Sequence, residues 1–462
     1  MRKGKKILET KTPFTILAVG SPFEHTGGGR RTLMVLMEEA KLGTDLYLYI
    51  PYEWLLWNII KTNGKSNELK TLIQQMHTLE SSGVKIPEIT YRLLEDPHKY
   101  MNDKILKIQR SRYKYLQWSL NTIFKSYNNQ RIAYMSEFIK SIPVPTVIYV
   151  YNESLSCIHD AKYLSRETNS NLVALLQSKP YGNFNFELFL RTIFEGYFHV
   201  IKDELLKVLP ALQIRKEIKD FCKDRNFKAF FSVSESCFKF PGAFKLEKKY
   251  RTTFQTLYPA LSVETHNPQT TTQRKEGILF YARLVPEKGI LDIIRIIKYL
   301  DKNVEIKIAG QFKDDRLRRI FLQKTAGFNI RYIGYLSRAE LFEHISGSKV
   351  LLYPSHFDSY SLVVLETLSR NTCVVAYDIP ALKLNYSQLR PVILVPEFHY
   401  RSMAEACTEI LRMDEKEYAE LFQDQNFRES LISSSSWNSV AEHELAMLRS
   451  ISEASDQIPK AL

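Results

Sequence analysis

The sequence predicts an α/β protein made of two doubly wound domains, each a parallel sheet with helices on both faces. Three observations carry this. A chain of 462 residues is too long for one hydrophobic core. Short apolar strands alternate with helical segments from Phe14 onward, and a second, cleaner run of the same alternation starts at Gly277. The composition, 44% hydrophobic and 25% charged, is that of a soluble globular chain rather than a disordered or fibrous one.

The first domain is expected over residues 1–260. It opens with a strand at Phe14–Val19, a loop holding Gly27, Gly28 and Gly29, a helical pattern from about Arg30 to Lys41, and a strand at Asp45–Ile50. Residues 53–127 read mainly as aromatic-rich helices that elaborate this domain. Alternation resumes with a strand at Thr146–Tyr151, a helix at Leu155–Arg166 and a strand at Leu172–Leu176. Helical sequence then runs to about Arg225, before short strands at Ala229–Val233 and Thr253–Tyr258. The polar, unpatterned Glu264–Glu276 marks a connection near the domain boundary. The second domain, residues 261–436, then alternates strands (Gly277–Ala282, Glu305–Ala309, Ile330–Ile333, Val350–Tyr353, Cys373–Ala376) with helices (Ile290–Leu300, Asp315–Thr325, Arg338–Ser346, Leu362–Ser369, about Ser402–Leu411). Two such domains face to face place ligands in a cleft outside the carboxyl ends of both sheets.

Composition excludes several classes. Five scattered cysteines without C-x-x-C spacing suggest neither a disulfide framework nor a zinc site, and they fit a reducing, cytoplasmic compartment. The basic N-terminus lacks the apolar run of a signal peptide, and nowhere are there 18 consecutive apolar residues, so any membrane contact is expected to be peripheral. The net charge of +13 is concentrated in part between Lys99 and Lys125, where seven basic residues stand against Asp103 among Tyr100, Tyr113, Tyr115, Trp118 and Phe124. Two readings stand: a solvated helix face over an ordinary core stripe, or a surface for anionic lipid headgroups on the inner face of a membrane. Nucleic acid is the third and least favoured, because no recognition motif accompanies the charge.

The chemistry concentrates in two stretches of the second domain. Tyr281-Ala282-Arg283-Leu284-Val285-Pro286-Glu287-Lys288-Gly289 follows a strand and precedes a helix, which lets Arg283 and Lys288 point into the cleft. A diphosphate needs such groups, a planar guanidinium fork and a compact ammonium. Tyr353-Pro354-Ser355-His356-Phe357-Asp358-Ser359-Tyr360-Ser361-Leu362-Val363-Val364-Leu365-Glu366 places Asp358 in a strand-to-helix loop and Glu366 about one turn into the helix. Between them the backbone N–H groups of Ser359, Tyr360, Ser361 and Leu362 open that helix and suit a phosphate or sugar oxygen. Taken singly, Asp358 reads as a capping residue and Glu366 as an ordinary helix acid; it is the pairing that points to a site.

Together these stretches resemble the family 4 retaining glycosyltransferases of the GT-B fold, whose pattern joins G-R-L-x-x-E-K-G to P-S-x-x-E-G-F-G-L-x-x-x-E. The likeness is specific over about Gly277–Leu411. It implies two Rossmann-like domains facing a central cleft and transfer of a sugar from a nucleotide-diphosphate donor, with retention of configuration and without metal or other cofactor. By it, Arg283 and Lys288 would hold the donor diphosphate, Glu366 the ribose hydroxyls and Asp358 the transferred sugar. Gly310 would border the donor; Tyr332, Ile333 and Gly334 would lie beside the base; Gly28 and Gly29 would meet the diphosphate from the first domain. A final amphipathic helix, within 437–462, would pack back on the first domain, where the blander reading makes it an ordinary terminal helix of the second. The acceptor would be a glycan or a lipid-linked molecule.

Three departures from the pattern stand out. The first acid is the shorter Asp358 where relatives have Glu. Ser359 and Ser361 replace glycines, which restricts the backbone more. Gln177-Ser178-Lys179 follows the strand after which many relatives carry His, and Gln is no general base. Two alternatives to transfer therefore remain: a sugar-nucleotide epimerase on the same fold, and a GT-B protein without turnover that serves another transferase as a binding partner.

Overall fold

A computed structural model of the protein describes residues 14–23, 26–61, 66–96, 125–178, 186–194, 208–239, 243–250, 252–263, 275–433 and 436–456. The basic aromatic stretch at 99–125 lies outside these residues apart from Lys125, as does most of the polar connection at 264–276. Two six-stranded sheets organise the chain, ordered β2-β1-β3-β4-β5-β6 and β12-β11-β10-β7-β8-β9. In the first, β1 (Thr15–Val19) pairs in parallel with β2 (Asp45–Tyr49) and β3 (Val147–Val150), and β3 pairs in parallel with β4 (Asn171–Leu176). β5 (Phe227–Ser232) and β6 (Thr253–Thr256) complete it.

The second sheet contains β7 (Ile278–Tyr281), β8 (Ile306–Ala309), β9 (Ile330–Gly334), β10 (Val350–Tyr353), β11 (Cys373–Tyr377) and β12 (Val392–Val395). All its pairings are parallel. The β7 and β10 residues are buried throughout, as strands covered on both faces must be, and this is why they read as unbroken apolar runs. The chain winds outward from β7 to β9, then returns to lay β10 against the other edge of β7. The order reverses between these two strands, and both motif loops leave from their carboxyl ends.

Some elements differ from the sequence pattern. The glycines at 27–29 form the first turn of helix Gly27–Lys41 rather than a loop, because Thr26 caps it: its hydroxyl accepts from the Gly29 N–H at 3.0 Å. Helix Pro380–Tyr386, strand β12 and the short helices Glu415–Glu420 and Gln425–Ser433 carried no sequence signal long enough to mark them. The expected helix Ile290–Leu300 ends at Ile296 and continues as a 3-10 turn over Ile297–Tyr299. Among the described residues no helix is long and apolar enough to cross a membrane.

Contacts divide the chain into two compact units, Met1–Leu175 with Lys219–Phe230 and Ala441–Leu462, and Leu176–Ile218 with Phe231–Val440. In the first unit the C-terminal helix is tied in by charge. Arg31, on helix Gly27–Lys41, pairs with Glu444 at 2.5 Å with both side chains fully buried, and Tyr149 donates to the same carboxylate at 2.5 Å. Glu39 accepts from Tyr151, and burial together with the Glu444 charge holds its carboxyl protonated well above the usual range. The cluster thus holds one cation, one anion and one neutral acid, a balance that suits a dry interior. Removing Glu444 strands the Arg31 guanidinium, so Glu444→Ala is expected to cost about 3–5 kcal/mol. Urea unfolding of wild type and variant measures it, and a loss under about 1 kcal/mol, the size of a surface pair, contradicts the buried clamp.

Candidate active site

Two loops of the second unit build the site. After β7 the chain forms a 3-10 turn over Pro286–Lys288 and reaches Gly289, whose φ is +82°. A side chain is excluded at Gly289, since a Cβ there would stand 2.0 Å from the carbonyl oxygen of Pro354 in the loop after β10. The His356 N–H bonds the Glu287 carbonyl at 3.0 Å and fixes the same two loops from the other side. Lys288 is therefore delivered to the second loop. Its ammonium donates to the Phe357 carbonyl at 2.8 Å and lies 3.0 Å from Asp358 Oδ2, with side-chain exposures of only 13% and 15%. Tyr353 donates its hydroxyl to the same Asp358 oxygen at 2.5 Å, and burial plus that carboxylate push the phenol well above its ordinary pKa.

Arg283 stands apart from this pair. Its guanidinium is 60% exposed and lies 3.3 Å from Glu287, an i,i+4 contact that contributes little in water. Glu366 is buried in helix Leu362–Leu368 and pairs at 2.8 Å with Arg338, the first residue of helix Arg338–Ser346. Gly310 sits at the end of β8, where a Cβ would come 2.0 Å from the Ala282 carbonyl. The Gly310 N–H reaches the Gly334 carbonyl at 2.7 Å, and Tyr332 donates to the Gly310 carbonyl at 3.0 Å. The structure thus joins Lys288 to Asp358, gathers Gly310, Tyr332 and Gly334 with the half-buried Ile333 on β9, and holds Glu366 through Arg338. Gly28 and Gly29 lie in the first unit, in the first turn of their helix. Gln177 and Ser178 follow β4, and Lys179 is outside the described residues.

The serine departures acquire a physical account. Ser361 is the N-cap of helix Leu362–Leu368 and takes φ +73°, the left-handed conformation that ordinarily favours glycine. Its hydroxyl accepts from the Val364 N–H at 3.4 Å, and its carbonyl accepts from the Tyr386 hydroxyl at 3.0 Å. The Ser359 carbonyl accepts from the Ser236 hydroxyl at 2.8 Å, and the Tyr360 ring meets Tyr386 edge-on at 5.8 Å.

Sequence reasoning missed Tyr353 as a partner of Asp358, Arg338 as the partner of Glu366, and a buried layer beneath the second loop. There His356 bonds Asp292 through Nε2 and Glu397 through Nδ1, both at 2.8 Å, while Tyr377 donates to the same Asp292 oxygen at 2.8 Å. Phe398 stacks on the imidazole at 4.7 Å, and the Arg191 guanidinium lies 4.2 Å from the Phe398 ring centre. Burial opposes the charged imidazole, but the two carboxylates outweigh it and raise its pKa to about 9. A lone Asp inside the apolar run Ile290-Leu291-Asp292-Ile293-Ile294 was the one available signal.

Residues 263–424 match the family described as Glycosyl transferases group 1. Over 158 residues the chain is 25% identical to a 41.2 kDa protein of the cps region of Klebsiella pneumoniae, covering 31% of this chain and 43% of that one. Among solved structures, HepE of Anabaena, in complex with UDP, aligns with a TM-score of 0.60 at 12% identity over 95% of this chain and all (100%) of its own. A glycosyltransferase of Rickettsia africae aligns with a TM-score of 0.60 at 14% identity, over 96% and 99%. TarM of S. aureus gives a TM-score of 0.52 at 16% identity, and there the chain covers 69% of itself but 58% of the relative. The shared architecture is the GT-B fold.

The His356 layer makes a pH-dependent contribution to stability. Its folded pKa of about 9 lies above the unfolded value of about 6.5, so the stabilisation is fully present below pH 6.5 and is lost as pH rises through 9. The shift corresponds to something on the order of 3 kcal/mol. Comparing wild type with His356→Gln by thermal unfolding between pH 6 and pH 10 should show the gap shrinking upward through this window, and a constant gap would contradict a charged imidazole.

Proposed function

We propose, on the premise that this chain has the GT-B fold and that its residues 263–424 belong to the glycosyl transferases group 1 family, that it transfers a sugar from a nucleotide-diphosphate donor to a glycan or lipid-linked acceptor. The observation that carries the reading is the Lys288–Asp358 pair at the reversal between β7 and β10. Ligands of open α/β sheets bind at such a point. In this reading Lys288 and Arg283 take the donor diphosphate, Asp358 the transferred sugar and Glu366 the ribose. Gly310, Tyr332, Ile333 and Gly334 border the nucleoside.

The bond from the anomeric carbon to the diphosphate oxygen breaks, and a bond from that carbon to an acceptor oxygen forms on the same face, with retention. Negative charge grows on the departing diphosphate, and Lys288 with Arg283 stabilises it without a metal ion. The acceptor hydroxyl proton leaves with the nucleoside diphosphate. Lys288 is already fixed by two loops, so it meets that charge with little reorganisation. The neighbours support the donor class: HepE was solved with UDP, and with UDP and glucose.

A thermal-shift series over nucleoside diphosphates and their sugars tests donor binding, because a ligand at 100 times its Kd adds about 2.7 kcal/mol of apparent stability. Lys288→Ala and Glu366→Ala should each weaken donor binding roughly tenfold to a hundredfold while leaving the ligand-free far-UV spectrum unchanged. Unchanged binding in both variants would sink the site assignment. With a labelled nucleotide sugar and a glycan acceptor, an extended glycan is the expected product; free epimer, or binding without turnover, would each overturn transfer.

A further inference from the structure

The loop that carries Asp358 is anchored two residues earlier by His356, whose side chain is only 1% exposed. Its Nε2 lies 2.8 Å from Asp292 on helix Ile290–Ile296, which starts directly after Gly289. Its Nδ1 lies 2.8 Å from Glu397 in the loop after β12. An ionised carboxylate only accepts, so both ring nitrogens donate and the imidazole is a cation. One side chain thus joins the segments that leave the carboxyl ends of β7, β10 and β12, all within the second unit.

Packing alone does not account for this. A buried imidazole is satisfied by one acceptor and one donor, and here it is given two acids. Phe398, next to Glu397, takes φ +66°, a left-handed conformation that is costly for a bulky residue and persists where its surroundings enforce it. Its ring stacks on the imidazole at 4.7 Å, and the Arg191 guanidinium lies 4.2 Å from its centre. The other titratable groups of the cluster are Tyr377 on β11, which donates to Asp292, and Tyr400, which accepts from Arg191 and has Arg295 5.3 Å from its ring centre. Burial, with the Asp292 charge second, holds Tyr400 up to about 12 and Tyr377 far above its ordinary range, so both phenols stay neutral. Burial opposes the imidazolium, the two carboxylates outweigh it, and its proton leaves at about 9.

On the donor reading proposed above, we infer that His356 is a positioning residue for donor binding: as a cation it ties the loop after β10 to the segments after β7 and β12, and so holds the Phe357 carbonyl and Asp358 against Lys288. The Phe357 carbonyl follows His356 by one residue and Asp358 by two, and they meet the Lys288 ammonium at 2.8 and 3.0 Å. The His356 N–H itself bonds the carbonyl of Glu287, the residue before Lys288, at 3.0 Å. A neutral imidazole keeps one N–H, so one of the two carboxylates then faces a lone pair and the loop loses an anchor. Donor affinity accordingly falls as pH rises through 9.

The test measures Kd for UDP, GDP and ADP by calorimetry between pH 6 and pH 10, on the full chain and on His356→Gln, Glu397→Gln and Lys288→Ala, with far-UV spectra to check the fold. For the nucleotide that binds most tightly, the ratio of variant to wild-type Kd is compared across pH, since titration of the nucleotide cancels in it. His356→Gln should give a ratio of roughly tenfold at pH 7 that closes toward one by pH 10. Glu397→Gln removes one of the charges that favour the imidazolium, so it should bind like wild type at pH 6 and lose affinity at lower pH than wild type does, by roughly one pH unit. Should His356→Gln fail the fold check, Glu397→Gln decides. A His356→Gln ratio near one throughout, a large ratio that does not change with pH, or an unmoved midpoint in Glu397→Gln overturns the inference. If Lys288→Ala still loses binding, those outcomes leave the donor reading standing. If wild type binds none of the three nucleotides, or Lys288→Ala binds as well as wild type, the donor reading falls and the role of His356 falls with it.

Discussion

The candidate site depends on one backbone contact, the approach of Gly289 to the Pro354 carbonyl. A single methyl group at 289 would overlap that oxygen, so the loops after β7 and β10 can lie this close only because no side chain intervenes. The consequence is electrostatic. Lys288 precedes Gly289, and once the glycine is seated its ammonium reaches the Phe357 carbonyl and Asp358. Gly310 repeats the device against Ala282, so the ends of β7, β8 and β10 are drawn together by two glycine–carbonyl contacts. Arg283 precedes the contact by six positions and is not held by it, which is why it remains in solvent.

The charged groups that sequence reasoning assigned to the donor are largely paired with one another or with neighbours. Asp358 neutralises Lys288, and Arg338 neutralises Glu366. Each pair is mostly withdrawn from water, and a partly buried charge left alone would cost several kcal/mol, so pairing is what makes these charges tolerable there. On the proposed reading a diphosphate competes for Lys288. As it does so, Asp358 keeps the Tyr353 hydroxyl and does not become an isolated buried anion. On that reading Tyr353 keeps the Asp358 carboxylate partnered throughout.

Much of this was legible in the sequence, for a definable reason. Strands buried on both faces appear as unbroken apolar runs, and each motif loop is contiguous, so Lys288, Asp358 and Glu366 could be named from two short stretches. What escaped is pairing between distant elements. Arg338 and Glu366 are 28 positions apart, and His356 and Asp292 are 64 apart. Periodicity reports which face of a helix is apolar, not which other helix brings a counter-charge to it. The first-domain glycines show a different limit: three glycines suggest a loop by propensity, but the Thr26 cap lets a helix start on them.

The serines bear on whether departure from the family pattern means departure from its geometry. A residue with a Cβ at φ +73° is strained by roughly 1–2 kcal/mol relative to glycine. Ser361 nevertheless takes that conformation, and it gains what glycine lacks, a hydroxyl that caps the following helix. The backbone path is therefore one a glycine would follow, with the strain offset by the cap and by the Tyr386 hydrogen bond. Ser359 is likewise secured through its carbonyl rather than its side chain. Ser361 thus holds, in the loop between Asp358 and Glu366, a backbone conformation that ordinarily favours glycine.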